Sequence, residues 1–324
     1  MVAAGSMHVS RYSDEDTEAW DALVARAPMG TFLHTRRFLA YHGDRFDDVS
    51  AVIRNERDEV LGVFPAAVDP ADERRVISHP GITFGGVLHD GELAGESMIE
   101  ALESLKTFYA ARGMTTLRYK AVPSIYQRRP ASDDLYALFR LHGVRSRCDL
   151  SCAIDLDNRG ERSSRRKRSL AKALKSGVEV TDGAPHVGEL WNVIEGNLER
   201  KLGEKPVHSA EEIERLHALF PENIAFAVAR LGGRTIAGVA LFSSGTVMRA
   251  QYIASSPDGY DVSALDAVFE HAIARAREDG RRYFDFGTSN RSDGRSLSTS
   301  VYQFKLEFGG GGVVHEFYDL ELNA

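Results

Sequence analysis

The chain has 324 residues, of which 43% are hydrophobic and 27% are charged, and its formal net charge is −7. This length suits two folded units of about 100–200 residues each, and the composition is that of an ordinary globular protein. A membrane-spanning helix is excluded because no run of about 18 apolar residues occurs, and the acidic balance argues against a protein that coats nucleic acid with its whole surface.

The N-terminal residues 1–8 contain no apolar core of the kind that a secretory signal needs. We interpret them as a disordered leader or a cloning remnant, and we expect the protein in the cytoplasm. The two cysteines, Cys148 and Cys152, agree with a reducing compartment. A strand over this stretch places both on one face but too far apart for a disulfide, and no further cysteine completes a zinc site.

The first half of the chain alternates strand and helix patterns. Residues 49–53 and 60–64 are β-rich and flank a polar turn, which predicts a hairpin. Apolar residues at helical spacing predict a helix over 92–112 that ends at Gly113. The remaining predicted elements are a strand over 115–119, a helix that begins at 132–134 and ends near Gly143, and a strand over 144–154.

The second half repeats this alternation. Helices are predicted over 186–202 and 209–220, and Ser209 and Glu212 have capping-box spacing. Three strands of a meander follow at 224–229, 235–242 and 247–254. They are followed by a helix over 262–277, a strand over 282–286, a short helix and a last strand over 313–318. This order resembles an acetyltransferase-like (GNAT-like) domain. The fold prediction is therefore a mixed α/β chain with tandem GNAT-like domains, over residues 9–155 and 156–324.

A basic helix is predicted at the start of the second domain. Between Arg162 and Lys175 the sequence carries seven cations and no acid. Four of these cations are consecutive and are candidate donor-binding residues: Arg165, Arg166, Lys167 and Arg168. Such a positive face attracts a phosphate-bearing partner, for example a nucleotide, a coenzyme or an RNA acceptor stem. The alternative is a solvated connector that happens to be basic.

The loop after the meander, residues 254–261, leads directly into a helix. The N-terminus of a helix offers unpaired N–H groups to a pyrophosphate, so Gly259 and Tyr260 are candidate donor-binding residues. Acetyltransferases bind coenzyme A at this place with an Arg/Gln-x-x-Gly-x-Gly/Ala loop, which this chain lacks. Ordinary helix capping explains the same residues.

The C-terminal segment carries the most specific resemblance. Phe304-Lys305 followed by Phe308-Gly309-Gly310 resembles the C-terminal signature of Fem-type aminoacyl transferases. The basic helix before residues 177–180 and the segment 31–34 before a helix resemble the same family, without its coiled-coil arm. The resemblance implies transfer from aminoacyl-tRNA on two acetyltransferase-like domains. It also implies that Lys305 stabilises the tetrahedral oxyanion and that Phe304 supports it.

Candidates for the other site roles come from the ends of strands. Asp285 ends a strand, and it is either the base or amine anchor of the reaction or a turn residue. Substrate-assisted proton loss would need no protein base. Candidate acceptor-binding residues, some of which are equally explained by packing or turns, are Phe84, Lys120, Tyr126, Arg128, Gln251 and Tyr252.

The sequence thus predicts an N-acyltransferase that forms an amide on a peptide, an amino sugar or a natural product. The favoured donor is aminoacyl-tRNA, whose acceptor end is the expected partner, and the alternative donor is acyl-coenzyme A. No other cofactor and no metal is implied. A non-catalytic GNAT-like binding module is the alternative of a different class. The sequence has no Gly-x-Ser-x-Gly elbow, phosphate-binding loop or His-Glu-x-x-His motif.

Overall fold

The computed structural model describes residues 7–291 and 293–323 and divides the chain into two compact units. Unit 1 contains the chain up to Asp149 with the segments 293–296 and 314–323, and unit 2 contains 150–291 and 297–313. Of the predicted leader, residues 1–6 lie outside the described residues, while His8 begins the first strand. The division thus falls a few residues before the predicted boundary at 155.

Unit 1 is built around one long helix and short strands. Its elements are β1 (His8–Arg11), α1 (Thr17–Arg26), α2 (Arg36–Ala40), β2 (Ala51–Arg54), β3 (Val60–Phe64), β4 (Ala67–Asp69), β5 (Asp72–Ile77), α3 (Glu96–Ala110), β6 (Thr116–Lys120), α4 (Asp133–Arg140) and the first part of β7 (Val144–Asp155). The predicted hairpin is confirmed, since β2 and β3 pair antiparallel. Helix α3 connects the parallel strands β5 and β6 and buries Met98, Leu102 and Leu105 in the core.

Unit 2 contains the predicted meander. Its elements are α5 (Ser164–Lys175), β8 (Glu179–Asp182), α6 (Val187–Leu202), α7 (Ala210–Leu219), β9 (Ile224–Leu231), β10 (Arg234–Ser244), β11 (Val247–Ser255), α8 (Pro257–Asp261), α9 (Ala264–Glu278), β12 (Tyr283–Thr288), β13 (Asn290–Arg291), β14 (Ser296–Leu297, of which Leu297 belongs to this unit), α10 (Thr299–Leu306) and the start of β15 (Gly311–Glu321). Strands β9 to β11 pair antiparallel in chain order, as the pattern of strands and turns predicts, and β8 adds a fourth strand to them that was not predicted. The capping box of Ser209 and Glu212 at the start of α7 is also confirmed.

One face of the sheet in unit 2 is covered by α9. An aromatic cluster joins this helix to β12 and α10, with Phe269, Phe284, Phe286 and Phe308 all fully buried. Such large rings contribute most of the buried apolar area of a small core. The opposite face of β10 and β11 packs against α6. The functional candidates of unit 2 therefore lie on this sheet and on the helices that flank it.

Two predicted elements differ from the structure. The helix expected over 262–277 is preceded by the separate short helix α8, because Ser263 adopts a left-handed conformation with φ 60° and interrupts the helical path. The last strand, expected to complete the second half, pairs over residues 317–321 with β6 in unit 1. Its side chains Leu320 and Leu322 are buried in the core of that unit. In unit 2, the place beside β12 is taken by residues 151–155 of β7 and not by the last strand.

Candidate active site

A cavity of about 510 Å³ opens in unit 2 between the basic helix and the ends of the strands. Elements α5, α6, α8, α9 and α10 and the end of β11 contribute its walls. The lining residues predicted from sequence are Arg165, Arg166, Gly259, Tyr260, Phe304 and Lys305. Sequences far apart in the chain thus meet at one site, and six of the predicted residues share it.

The sheet is open beside this cavity. The parallel strands β11 and β12 pair only over residues 247–249 and 283–285, although each continues beyond this pairing. In β11, Tyr252 lies opposite Ala240 and Ala250 lies opposite Leu241, so Gln251 is the extra residue of a β-bulge. Bulges redirect side chains and end regular pairing, and they are frequent beside active sites. The split between the strands exposes backbone groups of both.

Lys305 places its ammonium group at this split. The side chain starts from α10, and the residue is 5% exposed. Its Nζ donates hydrogen bonds to the carbonyl oxygens of Gly287 and Thr288, each at 2.8 Å. An ammonium group has three N–H donors. Among the described residues these two carbonyls are its hydrogen-bond partners, so the third N–H can meet a ligand oxygen.

The charge of Lys305 is set by opposing effects. Burial lowers the pKa of Lys305 to about 8, because the desolvated ammonium loses hydration, while the carboxylate of Asp285 acts in the opposite direction. The group therefore remains mainly protonated at neutral pH. A cation that is fixed in a partly dry site interacts strongly with a developing negative charge.

Phe304 forms part of the cavity wall. Its ring lies 5.3 Å from that of Phe308 and 6.0 Å from that of Phe269, and the guanidinium carbon of Arg166 is 4.7 Å from its centre. These contacts tie α10 to α9 and α5. Phe304 thereby helps to fix the helix from which Lys305 projects, and its supporting role in the reaction stays a prediction.

Asp285 lies behind the cavity and does not line it. It has no exposed surface, and it accepts hydrogen bonds from Ser151 Oγ, from Arg249 Nη1 at 3.1 Å and from the N–H of Gly287 at 2.9 Å. Its oxygens are thus occupied by protein donors. Asp285 therefore holds the turn whose carbonyl oxygens bind Lys305, and a role as base or amine anchor stays a prediction.

The four consecutive cations of α5 have different environments. Lys167 and Arg168 are exposed and do not line the cavity. Arg166 is 5% exposed, and its guanidinium contacts both oxygens of Asp266 at 2.9 and 3.0 Å and Glu307 at 3.0 Å. Arg166 is therefore a buried structural cation, contrary to its expected exposure on a positive face. Burial raises the pKa of Asp266 to about 6 despite this ion pair.

Arg165 and Lys201 supply positive charge to the cavity. Arg165 is exposed and forms no salt bridge with a described residue, although its charge acts on the carboxyl group of Asp266, which also lines the cavity. Lys201 Nζ lies 2.5 Å from the hydroxyl of Tyr260, which itself donates to Asn197 at 3.1 Å. These three residues form one hydrogen-bonded chain along the wall. The site can therefore receive an anionic group.

Gly259 has a steric role. Its N–H donates to the N-cap side chain of Ser256 at 3.1 Å, so this donor is already used by helix capping. A Cβ atom at this position would lie 2.4 Å from Ser255 Oγ and 2.5 Å from the carbonyl oxygen of Ile236. Only a glycine permits this close approach of α8 to the sheet. The predicted phosphate contact through the Gly259 N–H has no support in this geometry.

The four candidate acceptor-binding residues of unit 1 pack against, or hydrogen-bond to, other residues of that unit. Phe84 and Tyr126 are buried and pack at 4.5 Å. Lys120 Nζ donates to the carbonyl oxygens of Ile82 and, at 3.0 Å, His79, and burial lowers the pKa of Lys120 to about 7. Arg128 donates to the carbonyl oxygens of Ala25, in the last turn of α1, and of Ala27, just after it. These contacts describe packing and loop anchoring, and an acceptor role for the four residues stays a prediction.

The two acceptor candidates of unit 2 lie at the bulge. Gln251 accepts a hydrogen bond from Arg249 Nε at 3.1 Å. Tyr252 faces α6, where its ring packs against Trp191, whereas the next residue, Ile253, lines the cavity. Successive residues of β11 thus face different surroundings, Tyr252 toward α6 and Ile253 toward the cavity.

Sequence reasoning missed the contribution of α6 to the cavity. Asn197 and Lys201 are one helical turn apart, a spacing that places two polar side chains on the same face. This spacing could have indicated a polar face on α6, but it does not show which part of the protein that face contacts. Ser300 and Val301 of α10 also line the cavity. Within the described residues, no helix is long and apolar enough to cross a membrane.

Comparison with known proteins agrees with this geometry. Residues 158–305 match the family model of the acetyltransferase (GNAT) domain. The structure is similar to that of FemX, with a TM-score of 0.69, 14% identity and 98% of each chain covered. It is also similar to L-PGS from Bacillus licheniformis, with a TM-score of 0.61, 13% identity and coverage of 95% of this chain and 93% of that one. No curated protein matches the sequence significantly.

A further similar structure carries two GNAT domains. It is a tandem GNAT protein from the clavulanic acid biosynthesis pathway, with a TM-score of 0.52, 13% identity and coverage of 98% of this chain and 99% of that one. At such identities the similarity shows the fold. The predicted mixed α/β fold with tandem GNAT-like domains and the resemblance to Fem-type proteins are confirmed. The chain is an acyltransferase.

Proposed function

We propose that this acyltransferase moves an aminoacyl group from aminoacyl-tRNA onto an amine and forms an amide bond in the cavity of unit 2. The observation that carries the proposal is the buried ammonium group of Lys305, which two carbonyl oxygens fix at the split between β11 and β12. The acceptor is an amine on a peptide, an amino sugar or a small natural product.

The proposed reaction is attack of the amine on the ester carbonyl of the donor. The carbonyl oxygen becomes negative in the tetrahedral intermediate, and the third N–H of Lys305 donates to it. One such donor contributes roughly 3–4 kcal/mol to the transition state in enzymes that use it. Because the carbonyl groups of Gly287 and Thr288 already hold Lys305, the ammonium needs no reorganisation during the reaction.

The charges on the cavity wall support an anionic donor. Arg165 and Lys201 line it, and Lys167 and Arg168 are exposed on the same helix as Arg165. Phosphate groups of a nucleic acid bind to clusters of this kind, with an affinity that falls as salt rises. A polyanionic donor uses all four cations, whereas a neutral acyl donor uses none of them.

Acyl-coenzyme A is the second candidate donor. The GNAT domain match over residues 158–305 and the position of the cavity beside the loop between β11 and α9 favour it. Coenzyme A also carries phosphates, so the cations of the wall suit both donors. The hydrogen bond from the Gly259 N–H to Ser256 counts against it, because this N–H is not available to a pyrophosphate.

The test supplies both donors to the purified protein together with a panel of amines. Aminoacyl-tRNA labelled in the amino acid and labelled acetyl-coenzyme A are followed into amide product, with wild type, Lys305→Met and Lys106→Met compared. Lys106 lies on α3 in unit 1 and serves as the matched lysine control. We expect transfer from tRNA that Lys305→Met reduces about 100-fold or more. Transfer from coenzyme A alone would contradict the proposed donor.

A further inference from the structure

A tyrosine and a histidine form a close pair on the α6 side of the split. The hydroxyl oxygen of Tyr252 lies 2.5 Å from Nδ1 of His208, and the two rings meet edge to face at 5.8 Å. Tyr252 belongs to β11, whereas His208 precedes the first residue of α7 by two positions. Both residues are half-buried. The pair is thus accessible but held close together.

Several contacts fix the backbone at His208 and the ring of Tyr252. The indole N–H of Trp191 donates to the carbonyl oxygen of His208 at 2.8 Å, and the ring of Trp191 packs edge to face on Tyr252 at 5.2 Å. The next residue, Ser209, is the N-cap of α7 in a complete capping box with Glu212. Backbone position is therefore defined on both sides of His208. Such support is what a proton-transfer group requires.

The pair lies next to the reactive end of the sheet. Tyr252 follows the bulge at Gln251 and precedes Ile253, which lines the cavity. Across the split, the carbonyl groups of Gly287 and Thr288 hold Lys305. The cavity on one side would hold the donor carbonyl, so an amine that attacks it through the split arrives from the side of Tyr252.

We propose that Tyr252 and His208 together accept the proton of the attacking amine, an inference that rests on the proposed acyl transfer. As the amine nitrogen forms its bond to the carbonyl carbon, its proton moves to the Tyr252 oxygen. The hydroxyl proton of Tyr252 moves at the same time to Nδ1 of His208. When the carbon–oxygen bond of the donor ester breaks, a proton returns from His208 through solvent to the leaving oxygen.

In this scheme Tyr252 is the catalytic residue, because it touches the amine, and His208 is a positioning residue that acts through it. The other histidines of unit 2 have different partners: His217 Nδ1 lies 2.7 Å from the carbonyl oxygen of Ile224, His186 contacts Arg230, and His271 contacts Asp182. Asp285 is occupied by Arg249 and Ser151. Charged groups near the pair along the chain are Arg249 on β11 and Glu211 and Glu212 in the first turn of α7.

The test compares Tyr252→Phe, His208→Gln and their combination with wild type over about pH 6 to pH 9. His217→Gln is the matched control, since it removes a hydrogen-bonded histidine of the same unit. Thermal unfolding checks that each variant is folded. We expect kcat to fall about 100-fold or more in each single variant, with KM changed less than about threefold. The double variant should be no slower than the singles, because residues of one proton relay act as a unit.

The pH profile separates proton transfer from support. Wild type should lose kcat at low pH, as expected when a histidine becomes protonated, and His208→Gln should lack this fall. An unchanged kcat in Tyr252→Phe, additive losses in the double variant, or a retained low-pH fall in His208→Gln would overturn the proposal.

A measurement without turnover distinguishes this proposal from the proposed function. If wild type transfers from neither donor, the proposed function fails. The pair is still tested by the ¹⁵N shifts of the His208 ring in wild type and in Tyr252→Phe. An unprotonated Nδ1 at neutral pH whose shift changes in Tyr252→Phe supports the relay. A protonated Nδ1 that donates to Tyr252 overturns it.

Discussion

Asp285 and Lys305 are connected through one residue. The carboxylate of Asp285 accepts the N–H of Gly287 at 2.9 Å, and the carbonyl oxygen of Gly287 accepts a hydrogen bond from Lys305 Nζ at 2.8 Å. Gly287 has φ 77°, a left-handed conformation that glycine adopts without strain. The buried carboxylate thus fixes the turn, and the turn fixes the ammonium group.

The activity should fall as pH rises through about 8. Burial lowers the pKa of Lys305 to about 8, so its ammonium loses its proton above this pH and can no longer stabilise the oxyanion. The profile of kcat against pH in wild type measures this fall. Lys305→Arg keeps its charge throughout the range, so its residual activity should show no such fall. A high-pH fall that persists in Lys305→Arg would assign it to another group.

Asp285→Asn should reduce both stability and kcat. The substitution removes the anion that pairs with the largely buried Arg249, and loss of one partner of such a pair costs about 3–5 kcal/mol of unfolding free energy. It also loosens the turn at Gly287, so kcat should fall while Lys305 is still present. Urea unfolding and initial rates measure the two effects. Lys305→Met is the comparison, since it removes the ammonium and leaves the pair of Arg249 and Asp285 intact.

Arg166→Met should destabilise the protein strongly and Arg165→Met hardly at all, although the residues are adjacent. Arg166 is buried between Asp266 and Glu307, so its loss should cost about 3–5 kcal/mol of unfolding free energy. Arg165 is exposed, so its replacement should change stability by about 0.5 kcal/mol or less. Chemical denaturation measures the unfolding free energy of both variants. Equal losses of stability would contradict the structural role of Arg166.

Replacing both Arg165 and Lys201 by Met should lower the affinity for a tRNA donor. It should also make that affinity less dependent on salt concentration. Each phosphate contact to a single strand contributes about 0.7 to the slope of log affinity against log salt concentration, so the slope should fall by about 1.4. Filter binding at several salt concentrations measures it. Arg140, an exposed cation of unit 1 that is paired with Glu96, provides the control variant Arg140→Met. An unchanged slope in the double variant would remove these two residues from the donor site.

Gly259→Ala should destabilise unit 2 and distort the cavity. Its Cβ would meet the backbone carbonyl of Ile236 at 2.5 Å, and such overpacking costs about 1–3 kcal/mol. Gly188→Ala on α6 is the matched control, because no atom lies within 4 Å of its Cβ. Alanine in a helix should raise stability there by about 0.5–1 kcal/mol. Thermal unfolding compares the two, and a neutral Gly259→Ala would contradict the close packing of α8.

Local patterns determined the order of elements. The capping box at Ser209, the hairpin around β2 and β3 and the meander of β9 to β11 depend on residues that are close in sequence, so their patterns predicted them. The motif of Phe304 and Lys305 also identified two residues of the cavity. The pairing of the last strand with unit 1 could not be predicted from neighbouring residues, because β15 pairs with β6, which lies about 200 residues away in the sequence.

The sequence by itself determined that the protein has a basic helix, a meander and a lysine near its C-terminus. Only the tertiary structure decided that Arg166 is buried while Arg165 meets the cavity, and that Tyr252 meets His208, 44 residues away. The physical reason is range. Helix caps and turns are formed by neighbouring residues, whereas burial and the pairing of side chains depend on which distant elements pack together, and a pattern of residue types does not contain that information.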